Sequence, residues 1–276
     1  MTKITVSKLW KMKERGEKIT MTTAYDYPTA LLVDKAGLDM VLVGDSVGMV
    51  VLGYKNTVPV TVDDIIYHTK AVVKGAENPL IVADMPFMSY HISLEETKRN
   101  AARLIQEGGA DAVKLEGGKE VAPVVKALVE AGIPVQAHIG LMPQRASVGG
   151  AFKVQAKDAE TAKLILEDAL ALEEAGAFSV VIEFVTAEAA KLITENLKMP
   201  TIGIGAGPYC DGQVLLSHDL LRVYENPPPF AKLYADLNTT ITDAFTAYRD
   251  DVRASRYPAE EHTVHMDKKE AKKLRG

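Results

Sequence analysis

Val41-Leu42-Val43-Gly44-Asp45-Ser46 is an apolar run too short for a helix that ends abruptly in a carboxylate and a hydroxyl. In a parallel β/α protein such a run is a buried strand, and its carboxyl end is where ligands meet the chain. The same shape recurs at Leu80-Ile81-Val82-Ala83-Asp84, at Ala112-Val113-Lys114-Leu115-Glu116 and at Val180-Val181-Ile182-Glu183. One strand ending in an acid is chance. Four in one chain point to carboxylates converging on a single mouth.

Working outward, the segments between these strands read as helices. Asp26 is placed to cap a helix with Pro28 in its first turn and Gly37 as its stop. Thr61 opens a second, Ser93 with Glu96 spells a capping box, and Lys119 to Ala131 reads as one continuous helix. Asp158 and Thr186 open two more. Further strands are expected at Ile19 to Thr23, at Val135 to Ile139 carrying His138, at Thr201 to Ile204 and at Val214 to Leu216. A short helix with Leu9, Trp10 and Met12 on its apolar side precedes the first strand and reads as a lid over one barrel end. Long loops are expected from Gly48 to Pro59 and from Gly140 to Gln155, the latter with Gly149-Gly150 as a hinge.

Alternating strands and helices leave an open doubly wound sheet or a closed barrel. In an open sheet, strands two, three, four and six would not all face one crevice, whereas barrel strands share one mouth. The expectation is therefore an α/β chain forming a single (β/α)8 TIM barrel, with an N-terminal capping helix and extra C-terminal helices. The catalytic domain is expected over 1–256 and a loosely ordered charged tail over 257–276.

With 276 residues, 47% of them hydrophobic, the chain can bury a core of that size. A net charge of −5 supplies no basic surface for a phosphate backbone, so small molecules are expected as ligands rather than nucleic acid. The single cysteine, Cys210, rules out an internal disulfide, and no His stands at a spacing that would make it a nucleophile. Met1 to Lys18 lacks the apolar core of a signal peptide and no stretch is long enough to span a bilayer, so the expected location is the cytoplasm and no membrane partner is expected.

Asp45, Asp84 and Glu116 are hard oxygen donors without accompanying cysteines or a histidine cluster, a set that suits Mg²⁺ better than zinc. Each has a plainer alternative: Asp45 as a turn cap, Asp84 as a turn former before Met85-Pro86, Glu116 as an exposed loop acid. Glu116 can also reach a metal through water. Lys114 lies two residues from Glu116 on the same strand face, where it serves as an ion-pair partner, as a contact for a substrate carboxylate or, less favoured because a metal already supplies electrophilic help, as a Schiff base. His138 reads as a core histidine or a substrate neighbour, and Ser46 as a backbone-bonding hydroxyl or a ligand. Glu183 leaves an apolar strand with Phe184 behind it, surroundings that favour a proton-accepting carboxylate. Gly203, Gly205 and Gly207 serve either close packing or a phosphate site, with no Lys or Arg adjacent.

Several strings then act together: Thr23-Ala24-Tyr25-Asp26-Tyr27, Leu42 to Met49, Leu52-Gly53-Tyr54, Thr61 to His68, Val82 to Tyr90, Val113 to Gly118, His138 to Leu141, Pro143-Gln144, Gly203 to Gly207 and Cys210 to Gln213. Over most of residues 20 to 220 the chain resembles the ketopantoate hydroxymethyltransferase family. That resemblance implies a Mg²⁺-dependent barrel that transfers a one-carbon unit from 5,10-methylenetetrahydrofolate to 3-methyl-2-oxobutanoate, giving 2-dehydropantoate for pantothenate and coenzyme A. By position it implies Asp45 and Asp84 at the metal with Glu116 in its shell. Ser46, Lys114 and His138, together with the two metal-bound aspartates, would line the oxo acid, and Glu183 would be the base. It also implies a homodecamer. The alternative reading is a metal-dependent carbon-carbon lyase or mutase of the phosphoenolpyruvate mutase/isocitrate lyase type.

Overall fold

The computed structural model describes residues 2–145 and 153–274. The expected Gly149-Gly150 hinge lies outside the described residues. The chain divides into two compact units, residues 1–217 and 218–276. The expected 1–256 domain thus spans the first unit and most of the second.

The first unit holds eight strands in the order of the sequence, closed into a barrel. They are β1 (Ile19–Thr23), β2 (Met40–Val43), β3 (Leu80–Asp84), β4 (Ala112–Glu116), β5 (Val135–Gly140), β6 (Ser179–Glu183), β7 (Thr201–Ile204) and β8 (Gly212–Leu215). Every neighbouring pair is parallel, and β1 pairs with β8 to complete the ring. β2, β3 and β4 are buried at every residue, which is why they read as continuous apolar runs rather than alternating ones.

Helices among the described residues include α1 (Val6–Glu14), α2 (Tyr27–Ala36), α3 (Val47–Val50), α4 (Val62–Gly75), α5 (Leu94–Gln106), α6 (Ala122–Glu130), α7 (Ala159–Glu174) and α8 (Ala187–Asn196). Asp26 accepts from the Thr29 N–H, Pro28 sits in the first turn of α2, and Gly37 closes it at φ +78°. Ser93 caps α5 through the Glu96 N–H. The reciprocal half of the box is instead found at Thr61 and Asp64, which bond each other in both directions at the start of α4. The helix expected from Lys119 opens as a single 3₁₀ turn, Lys119–Val121, before α6 begins. Pro123 accounts for the break, because proline is accommodated in the first turn of an α-helix and not further in. The loop expected from Gly48 contains α3, one turn of helix.

α1 covers one barrel end, as its apolar side suggested. Trp10 Nε1 donates to the Phe178 carbonyl at 3.0 Å, just before β6. Lys13 Nζ reaches the Met199 carbonyl at 3.0 Å and Asp211 at 2.8 Å, just before β7 and β8. These are the amino ends of the strands, opposite the acids.

In the second unit the longest helix is Leu237–Arg253, capped by Asp236 through the Thr239 N–H. Residues beyond it form a 3₁₀ turn, Glu260–His262, and a helix, Lys268–Lys273. Among the described residues no helix is long and apolar enough to cross a membrane.

Candidate active site

The register of the parallel strands assembles the site. Asp84 is the Cα partner of Lys114, Glu116 of His138, and Gly140 of Glu183. Parallel partners place side chains on the same face, so these groups stand side by side at the carboxyl rim. Asp45 joins them from the turn after β2, where its N–H donates to Asp84 Oδ2 at 3.0 Å. All seven residues singled out in the sequence, Asp45, Ser46, Asp84, Lys114, Glu116, His138 and Glu183, thus lie at one end of one barrel.

Close polar contacts run around the ring. Lys114 Nζ lies 2.6 Å from Asp84 Oδ1. His138 Nε2 lies 3.1 Å from Glu183 Oε2, while its Nδ1 is 3.4 Å from Lys114 Nζ and 3.6 Å from Glu116 Oε1. The side chains of Lys114, Asp84, Glu116 and His138 are almost wholly buried, and Glu183 is the more open at 16% exposure. Ser46 Oγ is held 2.8 Å from the Tyr25 hydroxyl.

Electrostatics follow from burying three acids, Asp45, Asp84 and Glu116, with one lysine. Burial, reinforced by Asp84, lifts the Asp45 carboxyl from 3.8 to about 7, against the pull of Lys114 and the Gln144 amide. Burial, then Asp45, drives the Glu116 carboxyl well above its ordinary range. Burial disfavours the Lys114 charge, yet Asp84, Glu116 and Asp45 outweigh it, so this group remains an ammonium. Burial and Lys114 lower His138, which is therefore a neutral imidazole. Because Lys114 is only a donor, Nδ1 is the acceptor and Nε2 carries the proton facing Glu183.

A hard divalent cation fits this arrangement. Among the described residues no three His, Cys, Asp or Glu side chains form a ready metal cage. Cations that keep several waters need only one or two carboxylates from the protein, and Asp45 with Asp84 supplies that pair. Asp84 Oδ1 is buried without a well-aligned hydrogen bond, its contact to Lys114 being one of charge. Burial, and then the neighbouring Asp84, keep the Asp45 carboxyl partly protonated at neutral pH, and a cation held by the two aspartates would offset both effects.

Two residues with positions in this network were given no role by the sequence. The Gln144 side chain donates to Asp45 Oδ2 at 2.9 Å, and its backbone N–H donates to Glu116 Oε2 at 3.2 Å. Tyr90 OH donates to Gln144 Oε1 at 2.8 Å. Tyr90 ends the apolar-aromatic loop after β3, and Gln144 lies four residues past β5, so only the closure of the barrel brings them to Asp45.

The ketopantoate hydroxymethyltransferase family model matches residues 3–260. The chain belongs to the ketopantoate hydroxymethyltransferase family. Relatives named 3-methyl-2-oxobutanoate hydroxymethyltransferase include one from Thermoanaerobacter sp. (strain X514), 55% identical over 271 residues, covering 98% of this chain and 99% of its own. Another, from Moorella thermoacetica, is 56% identical over 263 residues, covering 95% of this chain and 98% of its own. Among solved structures, a phosphonopyruvate hydrolase in complex with oxalate and Mg²⁺ superposes with a TM-score of 0.62 at 13% identity, over 95% of this chain and 93% of that one. A 2,3-dimethylmalate lyase of the PEP mutase/isocitrate lyase superfamily gives 0.56 at 14% identity, over 98% and 94%. At such identities the likeness is one of fold: ketopantoate hydroxymethyltransferases share this barrel with enzymes of other chemistry.

Proposed function

We propose that the protein transfers a hydroxymethyl group from 5,10-methylenetetrahydrofolate to C3 of 3-methyl-2-oxobutanoate, giving 2-dehydropantoate, with Mg²⁺ as its metal. The observation that carries the reading is the pairing of a protonated Lys114 and an open Glu183 on opposite sides of neutral His138, beside the Asp45–Asp84 pair. Asp45 and Asp84 would hold the ion, with Glu116 reaching it through water. When bound, it supplies positive charge facing the oxo group, worth about several kcal/mol as C3 loses its proton.

The chain's own residues divide the remaining work. Lys114 contributes a permanent positive charge for the oxo acid's carboxylate, and Ser46, fixed by Tyr25, contributes a hydroxyl. Glu183 takes the C3 proton on the oxygen left free by His138. The His138 Nε2–H, 3.1 Å from Glu183 Oε2, stabilises the carboxylate's charge without itself becoming cationic. C3 then bonds to the methylene carbon of the folate, water supplies the hydroxyl, and tetrahydrofolate leaves. Holding the two carbons in line, away from bulk water, is the rest of catalysis.

Purified protein given Mg²⁺, the oxo acid and methylenetetrahydrofolate is expected to form 2-dehydropantoate, and to exchange the C3 proton with solvent deuterium when folate is omitted. No exchange with or without metal overturns the reading. A lyase or mutase on the same barrel would turn over its substrate without folate. The cytoplasmic location and the homodecamer carried over from the family belong to the same proposal, and light scattering of the purified enzyme tests the latter.

A further inference from the structure

The geometry points to Gln144, oriented by Tyr90, as a positioning residue that presents Asp45 to the metal and ties the strand ends bearing Asp45 and Glu116 into one rigid unit. The inference rests on the reading that a divalent cation sits at Asp45 and Asp84. Every polar atom of Gln144 that faces the site is used. Its Nε2 donates to Asp45 Oδ2 at 2.9 Å and to the Met85 carbonyl at 3.1 Å, and its Oε1 accepts from Tyr90 OH at 2.8 Å. Its backbone N–H donates to Glu116 Oε2 at 3.2 Å. The orientation of the amide is forced, because Asp45 Oδ2 and the Met85 carbonyl are acceptors and only an NH₂ can face both.

Tyr90 is locked in turn. Its hydroxyl accepts from the Glu116 N–H at 3.3 Å and has two acceptors for its own proton, Gln144 Oε1 at 2.8 Å and the Glu116 carbonyl at 3.2 Å, of which Gln144 is the nearer. Tyr90, Gln144 and Glu116 are each at most 2% exposed, so water does not compete for these bonds. One amide therefore fixes the carboxylate after β2, the backbone after β3 and the carboxylate of β4.

Partners of this kind outside the ligand set typically set metal affinity by about 10- to 100-fold. The test is isothermal calorimetry of Mg²⁺ binding without substrate, alongside thermal unfolding and steady-state kinetics. Gln144→Met keeps the volume and removes the amide. It is expected to weaken Mg²⁺ binding by about tenfold or more while still unfolding cooperatively. Tyr90→Phe frees the amide to rotate and is expected to weaken Mg²⁺ in the same direction by less. The double variant is expected to be no weaker than Gln144→Met, since both act through one contact.

Wild-type Mg²⁺ affinity in folded Gln144→Met overturns the inference, as do additive losses in the double variant. If Gln144→Met does not fold, Tyr90→Phe decides, and unchanged Mg²⁺ affinity there overturns the inference. Failure of the wild type itself to bind Mg²⁺ would instead overturn the metal reading, and this inference with it.

Discussion

Glu183 is the most accessible of the paired side chains at the mouth, at 16% exposure, and one of its oxygens lies 3.1 Å from His138 Nε2. Glu183→Gln is expected to cut C3 deuterium exchange by about 10²- to 10⁴-fold while leaving oxo-acid binding by calorimetry nearly unchanged. Asp45 makes a pH prediction. Its folded carboxyl titrates at about 7 against 3.8 for the free group, so the folded metal-free protein binds more protons than the unfolded chain between those values. Stability of the metal-free protein therefore falls as pH rises through that window. A cation that displaces the proton reverses the loss, so the rise in unfolding temperature on adding Mg²⁺ is expected to be larger at pH 8 than at pH 5.5. Equal rises at both pH values would sink the assignment of Asp45 as a ligand.

At the scale of elements, Gly140 shows how a strand end carries chemistry to its neighbour. It has φ +92°, and a Cβ there would stand 2.3 Å from the Glu183 carbonyl oxygen. Gly140→Ala is thus expected to lose about 1–3 kcal/mol from backbone strain alone and to displace Glu183, lowering kcat as well as the unfolding midpoint. The cap of α4 makes the opposite case. Thr61 and Asp64 form a reciprocal box at the exposed helix start, so Thr61→Ala is expected to cost about 1 kcal/mol in chemical denaturation with kcat unchanged. The starts capped by Asp26, Thr61, Ser93 and Asp158 were readable because the cap residue and its bond lie three positions apart, whereas Thr186, also expected as a cap, instead donates its hydroxyl to the Ala156 carbonyl at 2.7 Å. Whether the partner three positions on bonds back, as Asp64 does, depends on a rotamer that no spacing encodes.

At the scale of the molecule the first unit has two unlike ends. The amino ends of β6, β7 and β8 are tied by α1 through Trp10 and Lys13, and the carboxyl ends hold the charged ring. Lys13→Met removes the partner of Asp211, at 2.8 Å and mostly buried. It is expected to lower stability by about 1–3 kcal/mol, since Asp211 is left without its countercharge. The kcat at saturating substrate is expected to stay at the wild-type value, because the change is made at the opposite end from the acids.

The strands, their order around an eight-membered α/β barrel and the seven rim residues were legible in the sequence. A strand buried on both faces must be an apolar run, and an acid closing such a run interrupts the pattern visibly. Pairing was also nearly determined, because parallel strands joined by right-handed crossovers leave few topologies. Tertiary structure alone decided which groups touch. That Lys114 pairs with Asp84 rather than with Glu116 on its own strand follows from inter-strand register, and register is a property of the closed ring. Gln144 and Tyr90 stayed silent for the same reason: a lone neutral amide and a lone phenol carry no periodicity, and their roles arise only when residues as far apart in the chain as Asp45 and Gln144, 99 positions, are brought together.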